Sequence, residues 1–387
     1  MANAHSRGAS DIHLQPNRKG TAGTVLFRID GECQKIATVP GNLMRPLVAR
    51  LKVMCEMDLS ERRLPQDGKC KLRMRGQSLE VRVAVIPNAQ GTETAVMRLL
   101  ANCEAMHLSG LALSERNLAE LEKLSDASHG LLLVVGPTGS GKTTTLHSVL
   151  GHINDGKRVI WTVEDPVEIT QDGLQQVNVN RRQGLTFAKA LRSFLRADPD
   201  VIFVGEMRDE ETASTAIQAA MTGHLVLSSL HTNSAAETIN RLRSMDVNPF
   251  DLADSLRGIL SQRLVRKVCS SCKKDHQPDK HEVKMIEYAL SQHGVQPPVN
   301  LETSTIAEGA GCDECNGTGY RGRLGVHELL IATPDVRTSI ATGEPVRDIV
   351  KTARAEPTVT GMRCAGEAHE SRHRSRYVPQ AHLLGSL

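Results

Sequence analysis

Aromatic residues are nearly missing from this chain: 387 residues include one Trp, three Tyr and five Phe, 2% in all. So few flat rings leave little for a single-stranded nucleic acid to stack on, and the core must be aliphatic. Long apolar runs are missing too. No stretch approaches the roughly 18 consecutive apolar residues of a membrane-spanning helix. The first twenty residues hold no apolar segment of the kind that marks a secretory leader, which argues against export. Charge of either sign is not in excess: 47 Lys and Arg face 44 Asp and Glu, a formal net charge of +3. Such balance fits neither a nucleic-acid coat nor an acidic solvating tail. What remains is a globular composition, 40% hydrophobic and 24% charged, with length for two or three domains.

Nine cysteines are present, and their distribution matters more than their number. Cys33, Cys55, Cys70, Cys103 and Cys364 are scattered. Cys269/Cys272 and Cys312/Cys315 form two Cys-x-x-Cys pairs with 39 residues between them. In a cytosolic chain, paired spacing reads as metal binding before disulfide. Each pair can chelate through a tight turn, and two pairs complete an all-thiolate tetrahedron with no open position. The expected metal is a structural Zn²⁺. Lys267, Lys273 and Lys274 nearby favour thiolates. The competing reading is free or redox-active thiols.

Residues 1–100 read as a small α+β domain. Thr24 to Ile29 is strand-like and ends at the hairpin dipeptide Asp30-Gly31. Leu47, Val48, Leu51 and Met54 recur at helical spacing. Residues 70–86 alternate through Leu72 and Met74, then Leu79, Val81, Val83 and Val85, a two-strand unit with one buried face. A linker is expected over 101–112. Ser114 reads as a helix N-cap with Leu113 and Leu118 as a hydrophobic staple. Beyond residue 130, Leu131 to Val135, Val159 to Val163, Val201 to Val204 and Leu225 to Leu230 are short apolar runs separated by helical stretches such as Thr212 to Met221. That grammar implies a mostly parallel sheet covered on both faces, an α/β domain over 113–362. Its cysteine lobe spans 266–318 and carries a helix near 279–293. After Met362 the apolar period stops and His369, His373 and His382 accumulate, so 363–387 reads as a disordered or non-native tail.

Gly136-Pro137-Thr138-Gly139-Ser140-Gly141-Lys142-Thr143 matches the phosphate-binding P-loop in full, after a buried strand and before a helix. Its glycines let backbone N–H groups curl round phosphates, with the helix N-terminus adding a favourable dipole. Lys142 would reach the β- and γ-phosphates, and the Thr143 hydroxyl would ligate Mg²⁺; Thr144 follows in the same first turn. A magnesium-side acid is also needed. Glu206 ends the run Val201 to Val204, flanked upstream by Asp198 and Asp200. Glu164, Asp165 and Glu168 follow Val159 to Val163 and could orient or deprotonate water. Taken singly, each cluster reads equally as a solvated strand end. His224 and His231 bracket Leu225 to Leu230, either as satisfied structural residues or as sensors of the γ-phosphate.

These motifs in this order resemble the secretion ATPases of type II secretion and type IV pilus assembly, the general secretory pathway E/pilus assembly B branch. The resemblance covers about residues 9–361. It is carried by Ala9-Ser-Asp-Ile-His13, Phe27-Arg-Ile-Asp-Gly31, Glu61-Arg-Arg-Leu-Pro-Gln-Asp-Gly68, the P-loop, and Glu164-Asp-Pro-Val-Glu168. It continues through Leu195-Arg-Ala-Asp-Pro-Asp200, Gly205-Glu-Met-Arg-Asp209, Thr222-Gly-His224, Leu230-His-Thr232 and Gln262-Arg-Leu-Val-Arg266. The fold it implies is a RecA-like P-loop NTPase core, preceded by a small α+β, PAS-like domain and carrying a zinc-binding lobe.

In that family pattern Glu168 is the water-activating glutamate, Glu206 the Walker B acid, and His224 and His231 the histidine box. Arg192 and Arg196 become phosphate-facing arginines, with Arg28, Arg45 and Arg82 as further candidates. The implied cofactors are ATP, Mg²⁺ and Zn²⁺. The implied assembly is a homo-hexamer at the cytoplasmic face of the inner membrane, peripheral through platform and recruitment proteins and without direct nucleic-acid contact. Two rival readings are a DNA-transfer or uptake motor and an ATP-binding scaffold with little turnover. The chain departs from the pattern at both ends: it starts at the middle domain, and its His- and Arg-rich end does not resemble the family's closing helices.

Overall fold

The computed structural model describes residues 1–17, 21–74, 77–100, 105–291, 300–301 and 304–355. The expected tail over 363–387 lies outside the described residues, as do Gly76 and Cys103. The chain divides into two compact units, Met1–Cys103 and Glu104–Leu387.

The first unit opens with a short helix α1 (Ala2–Ser6), followed by β1 (Ala9–Pro16), β2 (Ala22–Ile29), β3 (Glu32–Pro40), helix α2 (Gly41–Met54), β4 (Gln66–Met74), β5 (Gln77–Pro87) and β6 (Glu93–Leu100). The strands form one antiparallel sheet in the order β3-β2-β1-β6-β5-β4. Asp30 and Gly31 both take positive φ, 48° and 89°, which is what a two-residue hairpin needs to match strand twist. Leu79, Val81, Val83 and Val85 all face the core. On α2 the buried stripe is Met44, Val48 and Leu51, while Leu47 is 40% exposed. The stripe is therefore rotated away from the expected Leu47. Lys52 is buried with Glu93, 2.5 Å away, and donates to the Glu61 carbonyl at 2.7 Å.

The second unit contains α3 (Glu115–Ser125), β7 (Gly130–Val135), α4 (Lys142–Ile153), β8 (Ile160–Glu164), β9 (Leu174–Asn178), α5 (Phe187–Phe194), β10 (Val201–Val204), α6 (Glu210–Met221), β11 (Leu225–Leu230), α7 (Ala235–Arg243) and α8 (Pro249–Ser255). It continues with β12 (Leu256–Val268), β13 (Lys273–His276), α9 (Lys280–Ser291), β14 (Ile306–Gly309), β15 (Tyr320–Ile331), α10 (Pro334–Ala341) and α11 (Val346–Ala355). Seven strands form one sheet, β15-β12-β7-β11-β10-β8-β9, parallel except for the β12–β15 pair. The apolar runs are unbroken because both faces are covered. Leu131, Leu133 and Val135 enter one core, and Leu132 and Val134 enter the other. Ser114 caps α3 by accepting from the Asn117 amide at 3.2 Å, with Leu113 and Leu118 in the adjoining core. Within the segment expected as a linker, Leu108–Leu111 forms a 3₁₀ turn whose two leucines are buried against α4 and its neighbours.

Candidate nucleotide site and cysteine cluster

In a parallel sheet the loops after the strands gather at one edge, where ligands bind. Here that edge carries the P-loop after β7, His231 after β11, Glu206 after β10, and the loop from 165 to 173 after β8. The P-loop turns at Gly136, Gly139 and Gly141, with φ of 153°, 79° and 87°. A Cβ on Gly136 would lie 2.3 Å from the Gln262 carbonyl oxygen and 2.5 Å from Ser140 Oγ, so only glycine fits there. Pro137 and Thr138 complete the turn into Gly139. Thr143 and Thr144 are half-buried in the first turn of α4, among the N–H groups that have no partner within the helix.

Lys142 is buried, and its ammonium donates to the Gly136 and Pro137 carbonyls at 2.8 and 3.2 Å. Burial lowers its pKa, and the Glu206 carboxylate opposes that shift. Nζ also lies 3.4 Å from His231 Nδ1, and His231 Nε2 lies 3.4 Å from Glu206 Oε2. An ammonium only donates, so Nδ1 is the accepting nitrogen and Nε2 carries the ring proton. Burial pushes the His231 pKa down, the Lys142 charge adds to that, and Glu206 counteracts it. Glu206 pairs with Arg208 at 2.6 Å through Oε1, while its buried Oε2 makes no hydrogen bond. Lys142, His231, Glu206 and Arg208 thus form a row crossing three neighbouring strand ends.

Other expected residues lie elsewhere. Of the three acids after β8, Glu164 points inward and is 3% exposed, held by His147, Thr162 and Gln176. Asp165 pairs with Arg181 at 3.2 Å, and Glu168 is solvent-exposed. Asp198 and Asp200 precede β10 and so sit at the opposite sheet edge from Glu206, where Asp200 accepts from the Val159 amide. His224 precedes β11, bonding to Ala219 O at the end of α6. Seven residue steps at ~3.3 Å each put it roughly 23 Å from His231, so the two histidines do not share one site within this chain. Arg192, paired with Glu211, and Arg196 line an open cleft of about 450 Å³ with Gln183, Gly184, Leu185 and Lys189. Arg28, Arg45 and Arg82 belong to the first unit.

Gln262, the first residue of the motif Gln262-Arg-Leu-Val-Arg266, has a part in the site that the motif does not announce. From β12 it donates to Ser140 O at 2.6 Å and accepts from Thr145 Oγ1 at 2.7 Å, gripping the P-loop and α4 together. His147, in an otherwise aliphatic stretch of α4, is a second such residue. In both, a polar side chain among buried neighbours was the available signal.

The four paired cysteines converge. Their sulfurs lie within 4.8 Å of one another, with three S···S separations of 3.9, 3.8 and 3.7 Å. A regular tetrahedron with metal–sulfur bonds of ~2.3 Å has edges of about 3.8 Å, whereas a disulfide needs ~2.05 Å. The cluster therefore fits a four-coordinate thiolate metal. Burial disfavours the Cys315 thiolate, but the Cys312 and Gly319 amides overcome it and bring that thiol down to about 6.

The second unit is a P-loop NTPase core with a four-cysteine lobe grown from its sheet edge. The chain belongs to the Type II/IV secretion system protein family, whose profile matches residues 1–375. It is 44% identical over 345 residues to type II secretion system protein E of Dickeya dadantii, covering 89% of this chain and 66% of that one. It is equally 44% identical over 332 residues to type II secretion system ATPase E of Vibrio cholerae, covering 86% and 63%. The chain thus spans just under two thirds of the length of these relatives. Among solved structures, the pilus retraction motor PilT with bound ADP matches with a TM-score of 0.60 at 27% identity, covering 96% of each chain. No helix among the described residues is long and apolar enough to cross a membrane.

Proposed function

We propose that this chain is the ATP-hydrolysing motor of a protein-secretion machine, of the type II kind for which its relatives are named, with type IV pilus assembly as the neighbouring task. The observation that carries the reading is the Lys142–His231–Glu206 row standing over a complete P-loop. The triphosphate would lie along the loop amides, and Lys142 would exchange its two carbonyl partners for phosphate oxygens. Mg²⁺ would be held by the Thr143 hydroxyl and by Glu206, whose buried, unbonded Oε2 fits such a neighbour; when bound it neutralises developing phosphate charge. Glu168, exposed on its loop, would take the proton of the attacking water. His231, neutral and between Lys142 and Glu206, would register the loss of the terminal phosphate. Arg192 and Arg196 would meet phosphate only as part of a larger assembly, a homo-hexamer on the cytoplasmic face of the inner membrane bound to platform and recruitment proteins. His224 would act across a subunit boundary or as a plain helix cap. Zn²⁺ at Cys269, Cys272, Cys312 and Cys315 would be structural, since four thiolates leave no open position.

Steady-state phosphate release from the whole chain tests this. Lys142→Ala should abolish turnover, and wild-type turnover in that variant overturns the P-loop assignment. Glu168→Gln should bind ATP without hydrolysing it; unchanged turnover there moves the base to Glu206.

A further inference from the structure

Behind the exposed Glu168 lies a ring of four polar residues, closed through one backbone N–H, that the nucleotide chemistry does not itself use. Gln171 Nε2 donates to both the Nδ1 and the backbone carbonyl of His147, at 2.8 and 3.0 Å. A carbonyl only accepts, so it fixes which end of the Gln171 amide faces α4. His147 Nδ1 must then be the acceptor, and its proton sits on Nε2. That N–H donates to Glu164 Oε2 at 3.0 Å. Glu164 Oε1 accepts from Thr162 at 2.8 Å and from Gln176 Nε2 at 3.2 Å. Gln176 closes the ring through the main chain, its Oε1 accepting from the Gln171 backbone N–H at 3.0 Å.

The ring is directional, and its His147–Glu164 side is buried while Gln171 and Gln176 are half-buried. His147 is fully buried, Glu164 is 3% exposed, and Phe203 packs edge-on against the imidazole at 5.7 Å between ring centres. A carboxylate in such surroundings is stable only because three donors converge on it. The neighbours of Glu168 are pinned from β9, by Gln176 of the ring and by Asn178 beside it. Gln176 Nε2 donates to Ile169 O at 2.9 Å, and the Val167 amide donates to Asn178 Oδ1 at 2.8 Å. His147 stands five residues after Lys142 on the helix that would receive the phosphates.

We propose that His147, Glu164, Gln171 and Gln176 are positioning residues that hold the Glu168 loop in fixed register with the phosphate end of α4. This rests on the reading of Glu168 as the group that takes the water's proton. Because the base that takes the water's proton must lie within a fraction of an ångström of its place, a loosened loop costs turnover rather than binding.

The test compares wild type, Gln171→Ala, His147→Asn and Glu168→Gln in the full chain. His147→Asn keeps an acceptor for Gln171 but loses the donor to Glu164. Gln171→Ala removes a half-buried loop side chain and serves if the helix variant does not fold. The expected result for both is kcat lowered about tenfold, with KM and the affinity for a fluorescent ATP analogue within twofold. Hydrogen exchange should quicken in peptides over 165–171 and stay slow over β7 and β10. Unchanged kcat in Gln171→Ala, while Glu168→Gln is dead, overturns the ring. So does a loss of kcat accompanied by faster exchange throughout, which is a purely structural role. Wild-type turnover in Glu168→Gln instead overturns the underlying reading of Glu168, whatever the ring variants do.

Discussion

Gln262 and Thr145, 117 positions apart, are joined by a 2.7 Å hydrogen bond beneath the P-loop. The register that pairs Ser261 with Val135 carries Gln262 alongside Gly136, the first residue of the loop. Its amide is used at both ends, so neither the loop nor β12 can shift without stranding a buried polar group. The same strand runs on to Val268, directly before the first cysteine of the metal cluster.

Gln262→Ala should therefore weaken nucleotide binding about tenfold. It leaves Thr145 Oγ1 and Ser140 O dry and unpaired, each costing about 1–3 kcal/mol. Gln262→Glu should be worse, because a second acceptor would then face the Ser140 carbonyl. Titration with a fluorescent ATP analogue checks both, and wild-type affinity in the alanine variant removes the clamp.

His327 lies opposite Gln262 in the β12–β15 register and is 5% exposed. Burial pushes its pKa down to about 4. The unfolded chain, with an ordinary value of ~6.5, binds that proton first as pH falls. Stability should hold above pH ~6.5 and decline between there and about 4, by on the order of 3 kcal/mol. Thermal midpoints measured from pH 7.5 to 4.5 should lose this part of their slope in His327→Gln. An unchanged slope refutes the assignment.

What could be read without coordinates follows from how sheets are buried. Val201 to Val204 and Leu225 to Leu230 are unbroken because both faces are covered, and the P-loop's glycines are dictated by backbone approach. Strand β12 has no clear sequence signature because Arg263, Arg266 and Lys267 interrupt its apolar pattern beyond the point where it leaves the covered sheet. His224 and His231 look equivalent as brackets of one strand. Only the parallel pairing of β11 with β7 shows that His231 meets the P-loop and His224 the far edge. Glu164 and Glu168 share one motif, yet one residue ends a strand facing inward and the other rides the loop. Spacing alone does not tell which carboxylate is spent on structure.

The neutral state of His231 has its own consequence. With its pKa held below the usual histidine value by burial and by Lys142, it stays uncharged through pH 7 to 8. Protonation would place a second cation 3.4 Å from the lysine ammonium. Turnover should be flat above pH ~6.5 and fall only at lower pH. His231→Gln should lower kcat and flatten that acid limb. A limb that survives the substitution belongs to another group.

The cysteine lobe can be tested without touching a sulfur. A Cβ on Gly309 would lie 1.9 Å from the Gly319 carbonyl oxygen, which itself accepts from the Cys269 amide at 2.9 Å. One residue beyond Gly309, the Ala310 amide donates to Cys272 O at 3.0 Å. The two glycines thus let the segments on either side of the Cys312/Cys315 pair meet while both stay bonded to the Cys269/Cys272 segment. Gly309→Ala must push them apart and spoil a tetrahedron with edges of 3.7 to 3.9 Å. Wild-type chain should contain about one zinc, and both Gly309→Ala and Cys272→Ser should lose most of it by elemental analysis. Nucleotide affinity should stay within twofold in both, because the P-loop rests on the sheet's own cores rather than on the lobe. Full metal content in Gly309→Ala would show that the lobe tolerates separation of the two segments flanking Cys312 and Cys315. A metal-free, stable wild type would show that the four thiols hold no ion at all.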